Sequence, residues 1–219
     1  MSGEQVGGYR AVDAYDLARA AVLVVDMTND FGHPDGVYAR HGQPCEPMDA
    51  IVPGVARLLT AAKGALVPVI LCSQFVFEGL DGRAVSAPGL TEARPWLLDE
   101  GLRRGTWGTQ MIDALPRPDI VVEKPRASGF FATPLDLLLR GLSVDTVIVV
   151  GGFTNQCIAS TVRDAWALDY RVVLPPDGCA AFDVRLHEAT LASLSPLSAQ
   201  IAIDELVSDL GARETPERG

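Results

Sequence analysis

Apolar residues fall along this chain in short β-branched runs, separated by stretches of helical periodicity. The first run, AAVLVVDM (20–27), is continuous rather than alternating, as a strand buried on both faces requires, and it runs into Asp26. In MDAIVPGVARLLTAAKG (48–64), Ile51, Val55, Leu58 and Leu59 share one helical face, and Gly64 marks the stop. LVPVILCSQ (66–74) predicts a second strand. Residues 75–105, rich in Gly, Pro and charge, predict a long excursion over the surface. DIVVEK (119–124) is a third strand ending in Lys124, and TPLDLLLRG (133–141) a helix with Thr133 as N-cap, Pro134 at its first position and Gly141 as stop. VDTVIVVGG (144–152) is the fourth strand and leads into a helix carrying Cys157. YRVVLPPD (170–177) and AQIAIDEL (199–206) predict a fifth and a sixth strand. Strands alternating with helices give an α/β fold: a single-domain three-layer α/β/α sandwich with a mainly parallel, Rossmann-like sheet of about six strands. The domain is expected over 13–210, with loose tails at 1–12 and 211–219.

Composition narrows the options. With 219 residues, 48% of them hydrophobic, the chain has enough apolar side chains for one ample core. A net charge of −10 repels polyanions, and no Lys/Arg-rich run offers a local exception, so no nucleic-acid partner is expected. The N-terminal stretch has no apolar h-region, and no run of about 18 apolar residues occurs. A cytoplasmic protein without a membrane partner is the expectation. Cys45, Cys72, Cys157 and Cys179 form no C-x-x-C pair and are expected as reduced thiols.

Ligands of open α/β sheets bind beyond the carboxyl ends of the strands. Three reactive groups are predicted at that edge: Asp26 after the first strand, Lys124 ending the third and Cys157 after the fourth. Each has a plain alternative, as a turn-capping carboxylate, a solvated lysine and a buried inert thiol. Together they suit nucleophilic catalysis. A helix start and a nearby ammonium are expected to lower the thiol pKa, and a carboxylate serves as base and then acid. Backbone N–H groups of GGFTNQC (151–157) stand where they would hold an oxyanion. The only histidines are His33, His41 and His187, none at a predicted strand end, so a Cys–His pair has no evident second member.

LVVDMTNDF, VVEKPRASGFFATPLDLLLRG and VVGGFTNQCIASTVRDAWALDYRVVLPPDGCAA, in that order, resemble the isochorismatase-like cysteine hydrolases. That superfamily includes nicotinamidase, N-carbamoylsarcosine amidase, biuret hydrolase and ureidoacrylate amidohydrolase. The resemblance spans roughly residues 20–182 and implies a triad of Asp26, Lys124 and Cys157. It also implies a cis peptide between Gly152 and Phe153, and an oxyanion hole from the N–H groups of Phe153 and Cys157. Members that cleave isochorismate lack the cysteine, so an amide or ureido C–N bond is the implied target. Nicotinamidases carry an Asp-x-His metal site after the second strand; CSQFVFEG (72–79) has neither residue, so no metal and no cofactor are expected. The segments around Lys124 and Cys157 look most like the ureidoacrylate, biuret and carbamoyl amidohydrolases. Two features depart from that pattern: Phe75 and Phe77 replace a more polar lining, and Thr28 stands where glutamine is usual.

The implied reaction is metal-independent hydrolysis of a small ureido, carbamoyl or amide compound through a thioester. The alternatives are a maleamate- or nicotinamide-type amidase, or a catalytically silent homologue acting through protein contacts. A nucleotide-binding module is disfavoured, because VVGGFTNQC contains neither G-x-G-x-x-G nor a P-loop. Asn29, Phe31, Gln74, Phe75, Phe77, Trp107, Gln110 and Phe131 are the candidate substrate-binding residues; Phe31 reads equally well as core, and Trp107 reads better as packing. Arg126 is a candidate carboxylate ligand or a salt-bridge residue. Relatives assemble as dimers or tetramers, which implies a homo-oligomer, with 75–97 as interface or lid.

Overall fold

The computed structural model describes residues 5–6, 9–10, 15–85 and 88–212. Two short strands, β1 (Gln5–Val6) and β2 (Tyr9–Arg10), pair antiparallel inside the segment expected to be a loose tail. The rest of that tail (1–4, 7–8 and 11–12) and residues 213–219 of the other lie outside the described residues.

The central sheet contains β3 (Ala20–Val25), β4 (Val69–Gln74), β5 (Ile120–Lys124), β6 (Thr146–Gly152), β7 (Arg171–Val173) and β8 (Cys179–Ala180). All its pairings are parallel, in the order β5-β4-β3-β6-β7, with β8 beside the end of β6. The central strands β3, β4 and β6 are buried along their whole length, which is why they read as unbroken apolar runs.

The short helices α1 (Asn29–Gly32) and α2 (Val37–Arg40) come after β3 and precede the long α3 (Glu46–Gly64). Then come α4 (Pro88–Ala93), α5 (Leu135–Gly141), α6 (Ala159–Ala167), α7 (Val184–Leu194) and α8 (Ile203–Gly211). Met48, Val55 and Leu59 of α3 and Leu206 of α8 bury one sheet face, against Val22, Val24, Ile148 and Val150. Leu135 and Leu139 of α5, Val162 of α6 and Leu194 of α7 bury the other, against Ala21, Leu23, Val147 and Val149. These are the three layers the pattern predicted.

Some elements differ from expectation. AQIAIDEL supplies no strand: Ala199 makes only an isolated bridge to Val173, and α8 begins at Ile203. The apolar positions Ile203, Leu206 and Leu210 keep helical spacing, and burial against α3 settles the choice. The sixth strand is instead β8, two residues long. Helix α5 begins one residue later than the sequence suggests, with Pro134 in the cap position, while the Thr133 hydroxyl accepts from the N–H of Leu135 at 3.3 Å. The stretch 75–105 is not only surface, because Leu97, Leu102 and Arg103 are buried.

Candidate active site

The strand order brings distant residues to one rim. β5, β4, β3 and β6 lie side by side and parallel, so the residues at their carboxyl ends become neighbours: Lys124, Gln74, Asp26 and the Cys157 turn. Gln74 and Lys124 are register partners, and Val25, just before Asp26, aligns with Cys72 on one side and Gly151 on the other. Asp26 leaves the strand with φ of 56°, in the left-handed region where aspartate is tolerated better than most residues. The approach of β6 to β3 also demands a glycine. At Gly151 φ is 120°, and an added Cβ would sit 2.1 Å from the Val25 carbonyl oxygen.

Asp26 and Lys124 have no solvent-exposed surface. Lys124 Nζ donates to Asp26 Oδ2 at 2.7 Å and to the carbonyl of Arg126 at 3.3 Å. The other carboxylate oxygen, Oδ1, accepts from the Gln74 N–H at 2.9 Å. Burial alone would depress the Lys124 ammonium, but the Asp26 carboxylate outweighs it and holds the group above its ordinary range.

Cys157 sits in a single π-helical turn, Thr154–Ile158, directly ahead of α6. The peptide bond between Gly152 and Phe153 is cis. The thiol faces both members of the ion pair and donates to Gln74 Oε1 at 3.8 Å. Burial, and next the Asp26 carboxylate, push it up to about 12 against the opposing pull of Lys124. The expected lowering of the thiol pKa is therefore reversed: the resting group is a thiol beside a carboxylate. Cys72 and Cys179 are buried thiols as well, each raised to about 12 chiefly by burial, and neither lines the Cys157 cavity. Thr154 gives no side-chain cap to the Cys157 turn; its hydroxyl instead shares a 2.8 Å hydrogen bond with His187 Nδ1 of α7.

A cavity of about 330 Å³ opens over Cys157. Phe31, Tyr38 and Phe153 supply its aromatic wall, and Gln74, Gln156, Arg94 and Arg126 its polar groups. Of the sequence candidates, Phe31 and Gln74 line it with Cys157 and Phe153. Asn29 does not line it; it is buried, its amide donating to the Trp107 carbonyl at 2.9 Å. Phe75 and Gln110 line a separate groove of about 610 Å³ along the edge strand β5. Trp107 is largely exposed against His33, Phe77 is exposed against Phe75, and Phe131 borders a shallow surface depression. Tyr38, Arg94 and Gln156 line the cavity without having been singled out in the sequence. Arg94 comes directly after α4 in the stretch read as surface, and only the helix-like TEARP segment hints that it turns inward. Among the described residues, no three His, Cys, Asp or Glu side chains converge where they would hold a metal ion. No helix among them is long and apolar enough to cross a membrane.

The isochorismatase domain profile matches residues 20–204. The chain belongs to the isochorismatase family. Its curated relatives include the ureidoacrylate amidohydrolase RutB of Methylobacterium radiotolerans, 34% identical over 197 residues that cover 83% of this chain and 75% of that protein. RutB of Acinetobacter baylyi is also 34% identical over 197 residues, covering 82% and 79%. Among solved structures, a cysteine hydrolase from Pseudomonas syringae superposes with a TM-score of 0.80 at 27% identity, covering 92% of this chain and 97% of its own. The N-carbamoylsarcosine amidase of Thermoplasma acidophilum gives 0.66 at 25% identity, covering 85% and 97%. This isochorismatase-family hydrolase thus shares fold and sequence with enzymes named for amide and ureido cleavage.

Proposed function

We propose that this isochorismatase-family hydrolase is a cysteine amidohydrolase that cleaves a C–N bond in a small ureido, carbamoyl or amide compound through a thioester. The observation that carries the reading is the buried Asp26–Lys124 pair set against the Cys157 thiol at the floor of a small cavity. RutB is named for ureidoacrylate, and a ureido carbonyl presents the bond such a site would attack.

The chemistry rests on the protonation states. A thiol held near 12 is protonated at neutral pH, so attack needs a base in contact, and Asp26 is that base. As Cys157 Sγ bonds to the carbonyl carbon, its proton passes to the Asp26 carboxylate. The oxyanion that forms lies against the N–H groups of Phe153 and Cys157. Asp26 then hands the proton to the departing nitrogen, and ammonia or an amine leaves. Water attacks the thioester with Asp26 again as base, and the thiol is restored. Lys124 stays charged throughout, keeping Asp26 ionised between proton transfers.

Ammonia release from ureidoacrylate, biuret, N-carbamoylsarcosine, maleamate and nicotinamide, measured beside Cys157→Ser, tests the proposal. Turnover of a ureido or carbamoyl compound, abolished in the variant, is the expected result. Turnover of nicotinamide or maleamate alone would keep the amidase and remove ureido and carbamoyl compounds from its substrates. Turnover that survives in Cys157→Ser would overturn the thioester route.

A further inference from the structure

Asp30 is a buried carboxylate that the proposed reaction does not use. It lies in α1 with 5% of its surface exposed, does not line the Cys157 cavity, and has no ion-pair partner among the described residues. A carboxylate removed from water without a cation must be satisfied by hydrogen bonds. Both of its oxygens find them on the backbone. Oδ1 accepts from the Val37 N–H at 3.3 Å, and Oδ2 accepts from the Leu102 N–H at 2.6 Å. Val37 opens α2, so its N–H has no acceptor within that helix. Leu102 stands at a φ of 53°, a conformation that a leucine keeps only where its surroundings hold it. A third segment closes over the carboxylate: a Cβ added to Gly108 would lie 2.3 Å from it.

The two segments that Asp30 joins are those that build one wall of the cavity. α2 supplies Tyr38, and the stretch leading to Leu102 supplies Arg94, whose guanidinium lies 5.4 Å from the Tyr38 ring centre. Trp96 of that stretch meets the same ring edge-on at 5.0 Å. Neither segment belongs to the sheet that places Asp26, Lys124 and Cys157. On the outer side Arg40 and His41 also reach Glu100, but those contacts are open to solvent and worth little in water. The buried polar fastening between the two segments is the Asp30 carboxylate. We infer that Asp30 is a positioning residue: it holds Tyr38 and Arg94 together over Cys157, and so governs substrate capture without taking part in the proton transfers. The kinetic consequence rests on the amidohydrolase reading above, whereas the holding of the wall does not.

Asp30→Asn tests this, because it keeps the side chain's shape and one acceptor oxygen but sets an amide N–H against the second backbone N–H. Amide hydrogen exchange on the whole chain, followed by mass spectrometry, should accelerate by about 10-fold or more over 37–41 and 95–104, the size of one lost hydrogen bond. Peptides from β3, β4 and β6 should change by less than about twofold. With a compound that is turned over, KM should rise by about 10-fold and kcat hold to within about twofold, as when only part of the population is competent to bind. The pH dependence of Cys157 alkylation should keep its shape, because Asp26 and Lys124 are untouched. Gly108→Ala, which presses on the carboxylate from outside, should reproduce these results. Asp119→Asn is the control: its carboxylate accepts from the Val69 N–H at 2.9 Å, at the opposite end of β4 from Gln74, and its loss should leave KM alone. Exchange that rises evenly through the protein, a KM that moves no more than in Asp119→Asn, or an Asp30→Asn chain that does not fold would each overturn the positioning role. If no compound is turned over, the amidohydrolase reading fails, and local exchange alone decides whether Asp30 holds the wall.

Discussion

The buried Asp26–Lys124 pair makes a prediction in which stability and activity part company. The nitrogen and oxygen are 2.7 Å apart and both side chains are wholly buried. At an effective dielectric constant of about 20, unit charges at that distance attract by about 6 kcal/mol. Removing each ion from water opposes this by several kcal/mol, so the pair as a whole contributes little net stability. Deleting one partner is different, since the survivor stays buried without its counter-charge. Lys124→Met leaves the Asp26 carboxylate with one backbone N–H, and Asp26→Asn leaves an ammonium facing an amide. Each single variant is expected to lose about 3–5 kcal/mol, or a melting temperature lower by about 6–20 °C for a chain of this size. The double variant Asp26→Asn/Lys124→Met removes both charges and keeps an acceptor for the Gln74 N–H. Its stability returns to within about 2 kcal/mol of the wild type, giving a coupling of at least about 4 kcal/mol. Urea unfolding monitored by the fluorescence of Trp96, Trp107 and Trp166 measures all four corners of the cycle. In Asp26→Asn, Lys124 loses the carboxylate that offset its burial, and burial then lowers its pKa, so that variant gains stability as pH rises toward the ordinary lysine value near 10.4. All three variants should be inactive, the double one while folded. Single losses that simply add, to within about 0.5 kcal/mol, would refute the reasoning.

Because the Cys157 thiol is held near 12, its alkylation by iodoacetamide should keep accelerating through pH 9, and a rate plateau near neutrality would contradict a resting thiol. The same raised pKa makes the native state bind more protons than the unfolded chain above the ordinary thiol value, so this contribution to stability is present below about pH 8.5 and fades above it. Gly151→Ala would drive a Cβ into the Val25 carbonyl at a φ of 120° and should abolish soluble expression, whereas Gly141→Ala, with nothing within 4 Å, should express normally. The Thr154–His187 hydrogen bond ties the Cys157 turn to α7. His187→Leu should lower kcat by about 2- to 12-fold with KM little changed, and His187→Asn should restore most of it; equal effects of both would deny the bond a positioning role. Burial lowers the His187 pKa, so protonation opposes the fold, and stability from this group is lost as pH falls below the ordinary histidine value of about 6.5.

Whether a feature is legible in the sequence depends on whether residue type or packing creates it. Strands β3, β4 and β6 announce themselves because both faces are buried and every position must be apolar, and their charged or turn-forming ends then mark the rim where chemistry collects. Asp26, Lys124 and Cys157 are visible for that reason: each breaks or succeeds an apolar run. Period fails where a segment is short. β8 has two residues and no pattern of its own, and Ile201 and Ile203, two apart, imitate a strand although Ile203, Leu206 and Leu210 set the helix. The site's walls are harder to see, because lining a cavity is a property of packing and not of type. Phe75 is buried at the β5 groove and Phe77 lies exposed against its ring, both away from the Cys157 cavity; Arg94, in a segment of ordinary surface composition, turns in over Tyr38. The direction of the Cys157 shift is out of the sequence's reach for the same reason. A nearby lysine and a helix start are readable from sequence and lower a thiol pKa, whereas complete burial beside a carboxylate is three-dimensional and here prevails. For the proposed thioester route the consequence is specific: a site that kept a standing thiolate would need no base in contact, whereas attack by a protonated thiol needs one, the role proposed for Asp26.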